Sequence, residues 1–297
     1  MNPNKFDLSR NIPESIKRLI RQRCGFGCVI CGKFPFHYDH FEPEFKDAKK
    51  HNADGITLLC PSCHQEKTNG DIRTEKIKEC NANPFCFKNQ GGKYLLKDLE
   101  APLQIKLGQI SLKSSKGKIF QLDGKDLISI TESAKDEPPY LNLKFSNDID
   151  SILEIVNNEI VASSKNWDFE KKGKKIIIRK NKKEIFLEFE FIPPSQIQFK
   201  KINFISSGLV IKTIDGKGLY VRNKKTVILL KSGSIQCNSI DMDSNTGRIK
   251  FEQDVLITSR DEGFFGEITM GINDPKKSIR KALYKIEPEY FKDYFYC

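Results

Sequence analysis

The hydrophobic pattern near the start of the chain predicts an amphipathic helix over residues 12–23, IPESIKRLIRQR. Ile16, Leu19 and Ile20 recur at helical spacing and form an apolar stripe, with basic residues around it. Pro13 suits the first turn of a helix, because its missing N–H has no partner there. We therefore expect one face of this helix to pack against a core.

Short apolar runs separated by polar stretches follow this helix. Strands are predicted at about 36–41 and 55–60, with a polar loop at 42–54 between them. The segment 61–69, PSCHQEKTN, begins with proline and ends before a glycine, which is typical of a short helix. A further helix is predicted at about 71–80. This region therefore reads as strand, loop, strand, helix.

The pattern changes near residues 89–94, and from about 96 to 270 it alternates with a period of two, as in antiparallel strands. The dipeptide Asn157-Asn158 lies between two apolar runs, as in a tight hairpin. The stretch 277–297 has helical character. Further hairpin signals occur in 111–122, in 166–194 with breaks at Gly173 and Asn181, and in 209–233.

These elements predict an α+β protein with two domains. Residues 1–95 would form a small module, and residues 96–297 a larger, mostly antiparallel β domain. An uninterrupted apolar run of membrane-spanning length is absent from the sequence, and the N-terminal ten residues lack the apolar core of a signal peptide. We therefore expect a cytoplasmic protein with no membrane association.

The net charge of +11 favours a polyanionic partner such as nucleic acid, although excess lysine also serves solubility. The run 171–183, KKGKKIIIRKNKK, has eight basic residues and no acid. It is either a solvated hairpin or a ridge that follows phosphates. The same two interpretations stay open for the helix 12–23. The candidate DNA-contacting residues are Arg18, Arg21, Arg23, Lys174, Lys175 and Arg179.

Cysteine and histidine cluster in one window of the chain. Five of the nine cysteines lie between Cys24 and Cys63, and all four histidines lie between residues 37 and 64. Two Cys-x-x-Cys pairs supply four thiolates at the spacing that structural zinc requires. The predicted Zn²⁺ ligands are Cys28, Cys31, Cys60 and Cys63.

Zinc leaves three side chains of this window unexplained. Asp39 and His40 are adjacent on a strand and therefore point to opposite faces. His64 directly follows Cys63 on a helix, and adjacent helical residues point about 100° apart. The geometry thus allows a second site, separate from zinc, between the first strand and the helix.

The motif set CVICG, YDH and GITLLCPSCHQEK resembles the HNH nuclease family, whose fold is a ββα-metal unit, over roughly residues 20–80. The resemblance implies that His40 is the general base that deprotonates the attacking water. It implies that Asp39 and His64 hold one catalytic Mg²⁺ or Mn²⁺, and that Lys67 contacts a flanking phosphate. DNA is the substrate that the resemblance favours.

The sequence departs from the family pattern at one position. Many members carry an asparagine five residues before the second Cys-x-x-Cys, where it orders the loop that presents the base, and Gly55 stands there instead. Asn52 or Asp54 could take this role from a shifted position, and His51 could assist in metal or phosphate binding. The sequence leaves these alternatives open.

The sequence as a whole favours a metal-dependent endonuclease that cuts DNA. A non-cleaving zinc module that binds nucleic acid, and a nuclease subunit gated by a partner or a signal, are the rival interpretations. The β domain is expected to select the target, dock a protein partner, hold the nuclease inactive or mediate homo-oligomers. Phage defence and mobile-element biology are hypotheses for its biological role.

Overall fold

The computed structural model describes residues 3–108, 110–134, 137–146, 151–206, 209–214, 218–222, 227–230, 234–237, 239–243, 249–252 and 256–258. The chain divides into two compact units. Unit 1 comprises Met1–Asp98 and Tyr140–Phe186, and unit 2 comprises Leu99–Pro139 and Leu187–Cys297. The helical stretch expected at 277–297 lies outside the described residues.

The described helices all lie in unit 1, before residue 90. They are α1 (Glu14–Cys24), α2 (Pro61–Asn69), α3 (Thr74–Ala82) and α4 (Phe85–Lys88), with 3₁₀ turns at Phe45–Asp47 and Ala53–Gly55. Gly25 ends α1 with a φ of 68°, a left-handed conformation that favours glycine. None of the helices in the described ranges is long and apolar enough to span a bilayer.

Strands make up most of the rest of the described chain. They are β1 (His37–His40), β2 (Ile56–Leu59), β3 (Gly91–Leu95), β4 (Leu103–Leu107), β5 (Ile110–Ser114), β6 (Gly117–Leu122), β7 (Lys125–Thr131), β8 (Tyr140–Ser146), β9 (Ser151–Val156), β10 (Glu159–Ser163), β11 (Asp168–Lys172), β12 (Lys175–Arg179), β13 (Ile185–Ile192), β14 (Gln196–Ser206), β15 (Leu209–Ile214), β16 (Gly218–Arg222), β17 (Val227–Leu230), β18 (Ser234–Cys237), β19 (Ser239–Met242), β20 (Ile249–Glu252) and β21 (Leu256–Thr258).

Unit 1 contains the predicted order of strand, loop, strand and helix. β1 pairs antiparallel with β2, and α2 follows β2 directly. The predicted hairpin at Asn157-Asn158 is confirmed, because β9 pairs with β10 and both turn residues have positive φ, as a type I′ turn requires. β10 continues the ladder to β3, and β11 pairs with β12 across Gly173.

A buried core holds the first ninety residues of unit 1 together. Ile20 of α1, Leu58 of β2 and Ile77 of α3 are fully buried within one cluster. Leu19 is 56% exposed, so its predicted place in the apolar stripe of α1 is wrong. The stripe is narrower than the sequence suggests, because Arg21 on the same helix occupies a fully buried position instead.

The segment 140–186 belongs to this unit through its strands and aromatic side chains. Phe169 of β11 lies against Phe26 and Phe34, with ring centroids 6.4 and 5.1 Å away. Gly91 of β3 approaches the backbone of β10 so closely that a Cβ would lie 1.8 Å from the Ala162 carbonyl oxygen. Any side chain at 91 would therefore push these strands apart.

Unit 2 is built mainly from antiparallel pairs, with parallel pairs between β4 and β14, β5 and β18, and β6 and β19. The hairpin expected within 111–122 is wrong. Both segments are strands, but β5 pairs with β4 and β18, whereas β6 pairs with β7 and β19. Alternation predicts that a segment is a strand, but it does not choose the partner.

Candidate metal centre and active site

The four cysteines of the two Cys-x-x-Cys pairs form one cluster that can hold a metal ion. Their sulfur atoms all lie within 4.8 Å of one another. The Sγ of Cys31 lies 3.5 Å from that of Cys60 and 3.8 Å from that of Cys63. Zn–S bonds of about 2.3 Å in a tetrahedron give sulfur separations of about 3.8 Å, so the spacing fits zinc. It is far longer than a disulfide bond of about 2.05 Å.

The local sequence explains how the first pair of cysteines forms a tight turn. The Cys28 N–H donates to the Lys33 carbonyl, and the Gly32 N–H donates to the Cys28 carbonyl, at 3.0 and 2.8 Å. Gly32 has a φ of 73°, and a Cβ at Gly27 would lie 2.3 Å from the Gly32 oxygen. The knuckle therefore requires glycine on both sides of Cys28.

The protonation chemistry of the cluster also fits a cation. Hydrogen bonding to Cys28 and burial raise the pKa of the Cys31 thiol. Burial raises the pKa of Cys63 to about 12, and the neighbouring Cys60 and Cys31 act in the same direction. Four thiolates coexist here only with a cation between them, which is the usual state of a structural metal site.

A second polar cluster joins β1 to α2. Asp39 is buried, and its Oδ1 lies 3.3 Å from the Nε2 of His64, while its Oδ2 accepts a hydrogen bond from the Nζ of Lys67. His64 and Lys67 lie three residues apart and so share one face of α2. Because Cys63 turns toward the sulfur cluster, α2 contributes side chains to both clusters, as its spacing predicts.

Asp39 and His64 together could hold a hard divalent ion. Among the described residues, the cysteine group is the only set of three or more metal-binding side chains, so Asp39 and His64 would leave most coordination positions open. Mg²⁺ commonly keeps several waters and binds through one or two carboxylates plus a substrate phosphate. A carboxylate beside an imidazole also suits Mn²⁺.

His40 lies on the opposite side of β1 from Asp39. Its Nε2 is 3.1 Å from the Nδ1 of His51, and its ring meets the ring of Phe45 edge-on, with centroids 5.3 Å apart. Burial lowers the pKa of His40 to about 4; the neighbouring His51, Lys67 and Arg10 lower this pKa further, whereas Asp39 raises it. The imidazole is therefore neutral at pH 7 and able to accept a proton.

The other auxiliary candidates of the loop have structural partners. Asn52 accepts a hydrogen bond from the backbone N–H of Asp54 and caps the 3₁₀ turn that follows. Asp54 is exposed and lies 3.3 Å from Arg23. Among the described residues, neither Asn52 nor Asp54 contacts His40, whereas His51 does.

The arginines of α1 face the protein. Arg21 is fully buried, binds both carboxylate oxygens of Asp168 at 2.8 and 2.9 Å, and donates to Tyr38 and Glu14 at 2.7 Å each. Arg18 also binds Asp168, at 3.1 Å. The predicted phosphate contact by Arg21 is therefore corrected, because its guanidinium is enclosed and already paired.

The remaining basic candidates lie in two places. Arg23 donates to the carbonyls of Ala53 and Ile56, so it ties α1 to the loop before β2. Lys174 and Lys175 lie at the exposed tip of the β11–β12 hairpin, and Arg179 is half-buried at the end of β12. Phosphate contact by these three hairpin residues stays a prediction.

Two residues near these clusters, Asp168 and Arg10, have no recognisable signal in the sequence. Asp168 pairs with Arg21 across 147 residues of sequence, which no local pattern signals. Arg10 stacks its guanidinium over Phe45, 4.4 Å from the ring centroid, and the same Phe45 ring contacts the ring of His40. Because Arg10 belongs to no motif with a defined spacing, the sequence does not predict its contact with Phe45.

Residues 22–70 match the family model described as HNH endonuclease. The match covers both cysteine pairs, Asp39, His40, His51, His64 and Lys67, which are the residues described above. No curated protein and no solved structure matches the chain.

Proposed function

We propose that this protein is a metal-dependent endonuclease that hydrolyses phosphodiester bonds in DNA. The observation that carries the proposal is the placement of His40, Asp39 and His64 around β1 and α2, beside a four-cysteine cluster and inside the segment that matches the HNH family. A base, a carboxylate–imidazole pair and a lysine within one small unit are the components that phosphodiester hydrolysis requires.

Each metal has its own set of residues in this proposal. Cys28, Cys31, Cys60 and Cys63 hold Zn²⁺, which fixes the turn before β1 to the start of α2. The pair formed by Asp39 and His64 holds Mg²⁺ or Mn²⁺. When bound, the divalent ion supplies positive charge to the scissile phosphate and the leaving oxygen.

The side chains perform the rest of the chemistry. His40 accepts a proton from the attacking water, which it can do because its imidazole is neutral. Lys67 fixes the Asp39 carboxylate and donates also to the His40 carbonyl at 3.3 Å, so it holds the two site residues of β1 together. Its ammonium also adds positive charge where a phosphate would bind.

The rest of the chain is proposed to choose when and where the site cuts. Residues 1–95 carry the cleavage chemistry, and residues 96–297 select the target, bind a protein partner or mediate homo-oligomers. Residues 140–186 nevertheless fold with the first 98 residues. This arrangement gives the basic β11–β12 hairpin a direct place in the same unit as the site.

Supercoiled plasmid tests the proposal. We expect the native protein to nick or linearise plasmid in Mg²⁺ or Mn²⁺, and to leave it intact when EDTA replaces the added ion. Zinc content is measured after each incubation, so that the loss of the catalytic ion is separated from the loss of zinc. Intact plasmid in every metal, together with salt-sensitive binding of the same DNA in a gel shift, would instead support the non-cleaving module.

A further inference from the structure

The turn that follows His40 is closed by the backbone in this protein. The N–H groups of Phe41 and Glu42 both donate to the Gly55 carbonyl, at 3.0 and 3.3 Å. A Cβ at Gly55 would lie 1.9 Å from the Glu42 carbonyl oxygen. No side chain fits at position 55, so an asparagine there could not order this loop without separating its two arms.

The imidazole of His40 must then be oriented by a different residue. Within the described residues, its ring contacts His51, through an Nε2 to Nδ1 distance of 3.1 Å, and Phe45, through an edge-on ring contact. Phe45 restricts the ring plane but carries no hydrogen-bonding group. His51 is therefore the neighbour that can select which nitrogen of His40 carries the proton.

The second nitrogen of His51 supports a role beyond packing. Its Nε2 is buried, and within the described part of the chain it has no hydrogen-bond partner. A buried imidazole that serves only the fold normally satisfies both nitrogens, because an unpaired polar atom costs free energy. In His51, the Nδ1 contacts His40 and the Nε2 has no hydrogen-bond partner among the described residues, an arrangement more typical of a reactive centre.

We propose that His51 is the positioning residue for His40, an inference that rests on the proposed function. The Nε2–H of His40 donates to the Nδ1 of His51, so that the Nδ1 of His40 is bare and accepts the proton of the attacking water. His51 in turn carries its own proton on Nε2. His51 thus performs, from the loop between β1 and β2, the role that Gly55 cannot.

The protein has four histidines, so a histidine-labelled ¹⁵N nuclear magnetic resonance spectrum reports on few rings, and single substitutions assign them. In the native full-length protein we expect His40 in one fixed tautomer, with the proton on Nε2. His51→Ala should abolish this preference, and His51→Asn should retain it, because the asparagine amide can occupy the place of Nδ1. Asn52→Ala, which removes a cap from the same loop, should leave the tautomer unchanged.

Kinetics provides the second measurement. His51→Ala should lower kcat about 10- to 100-fold with little change in KM. Added imidazole should restore part of the rate of His51→Ala, and His51→Asn should recover most of it, with zinc content as in the native protein.

His40 ring signals in His51→Ala that match those of the native protein would overturn the assignment of His51, and so would an unchanged kcat. Failure of the native protein to cut DNA would count against the proposed function alone, because the ring signals still decide whether His51 orients His40.

Discussion

Replacing Cys63 with serine is expected to abolish zinc binding and to unfold the part of unit 1 around α2. Cys63 is buried, and its sulfur lies 3.8 Å from that of Cys31 in the four-cysteine cluster. Zinc binding at structural sites contributes about 10–16 kcal/mol in zinc-finger peptides. Such a contribution is comparable to the entire stability of a typical domain, about 5–15 kcal/mol.

Zinc content, measured by mass spectrometry of the metal, and thermal unfolding, followed by circular dichroism, test this expectation on the full chain. Cys80→Ser is the matched control, because Cys80 is a free, partly buried thiol that lies on α3 outside the cluster. It should retain full zinc and change the free energy of unfolding by about 1 kcal/mol or less. If Cys63→Ser had the same Tm as the native protein, the cysteine cluster would not be required for folding.

Replacing Asp168 with alanine is expected to destabilise unit 1 by about 3–5 kcal/mol. The substitution leaves the guanidinium of Arg21 fully buried without the carboxylate that binds its Nε and Nη2. Glu170, 3.4 Å from Arg21, offers only partial compensation, since it also pairs with Lys172. For a unit of this size the loss corresponds to a decrease in Tm of about 6–20 °C.

Glu14→Ala provides a matched control on the same guanidinium. Glu14 binds Arg21 at 2.7 Å, but its side chain is 44% exposed, so its removal should cost about 1 kcal/mol or less. Differential scanning calorimetry of both variants compares a buried partner with an exposed one. Equal shifts in Tm for the two variants would contradict the view that burial gives the Asp168 pair its importance.

The buried ion pair between Arg21 and Asp168 also affects the candidate active site. Arg21 donates to the hydroxyl of Tyr38, the residue before Asp39 on β1. The fold of β1 therefore depends on β11, a strand of the segment 140–186. We expect Asp168→Ala to lower cleavage activity as well, in proportion to the loss of folded protein at the assay temperature.

The parts of the protein that could be predicted from the sequence are those that local spacing determines. The two Cys-x-x-Cys pairs bring four cysteines together, the strand alternation separates Asp39 from His40, and the position after Cys63 turns His64 toward the strand. The Asn157-Asn158 turn was predictable for the same reason, since two adjacent residues of this kind tolerate positive φ.

The parts that could not be predicted depend on contacts between distant segments. Arg21 had the sequence context of a solvated or phosphate-binding side chain, and its buried partner Asp168 lies 147 residues later in the chain. The contact of His51 with His40 arises in a loop without periodicity, where spacing gives no direction to a side chain. The partners chosen by β5 and β6 are likewise set by the sheets of unit 2 and not by their own alternation.

The nuclease assignment is tested most directly by comparing the native protein with His40→Ala in the plasmid assay, with Mn²⁺ or Mg²⁺ present and zinc content verified as equal. We expect metal-dependent cleavage by the native protein and a rate about 10²- to 10⁴-fold lower for the variant, because the water loses its base while the fold and both metal sites remain. Cleavage by His40→Ala at the native rate would contradict the assignment of this site as the nuclease centre.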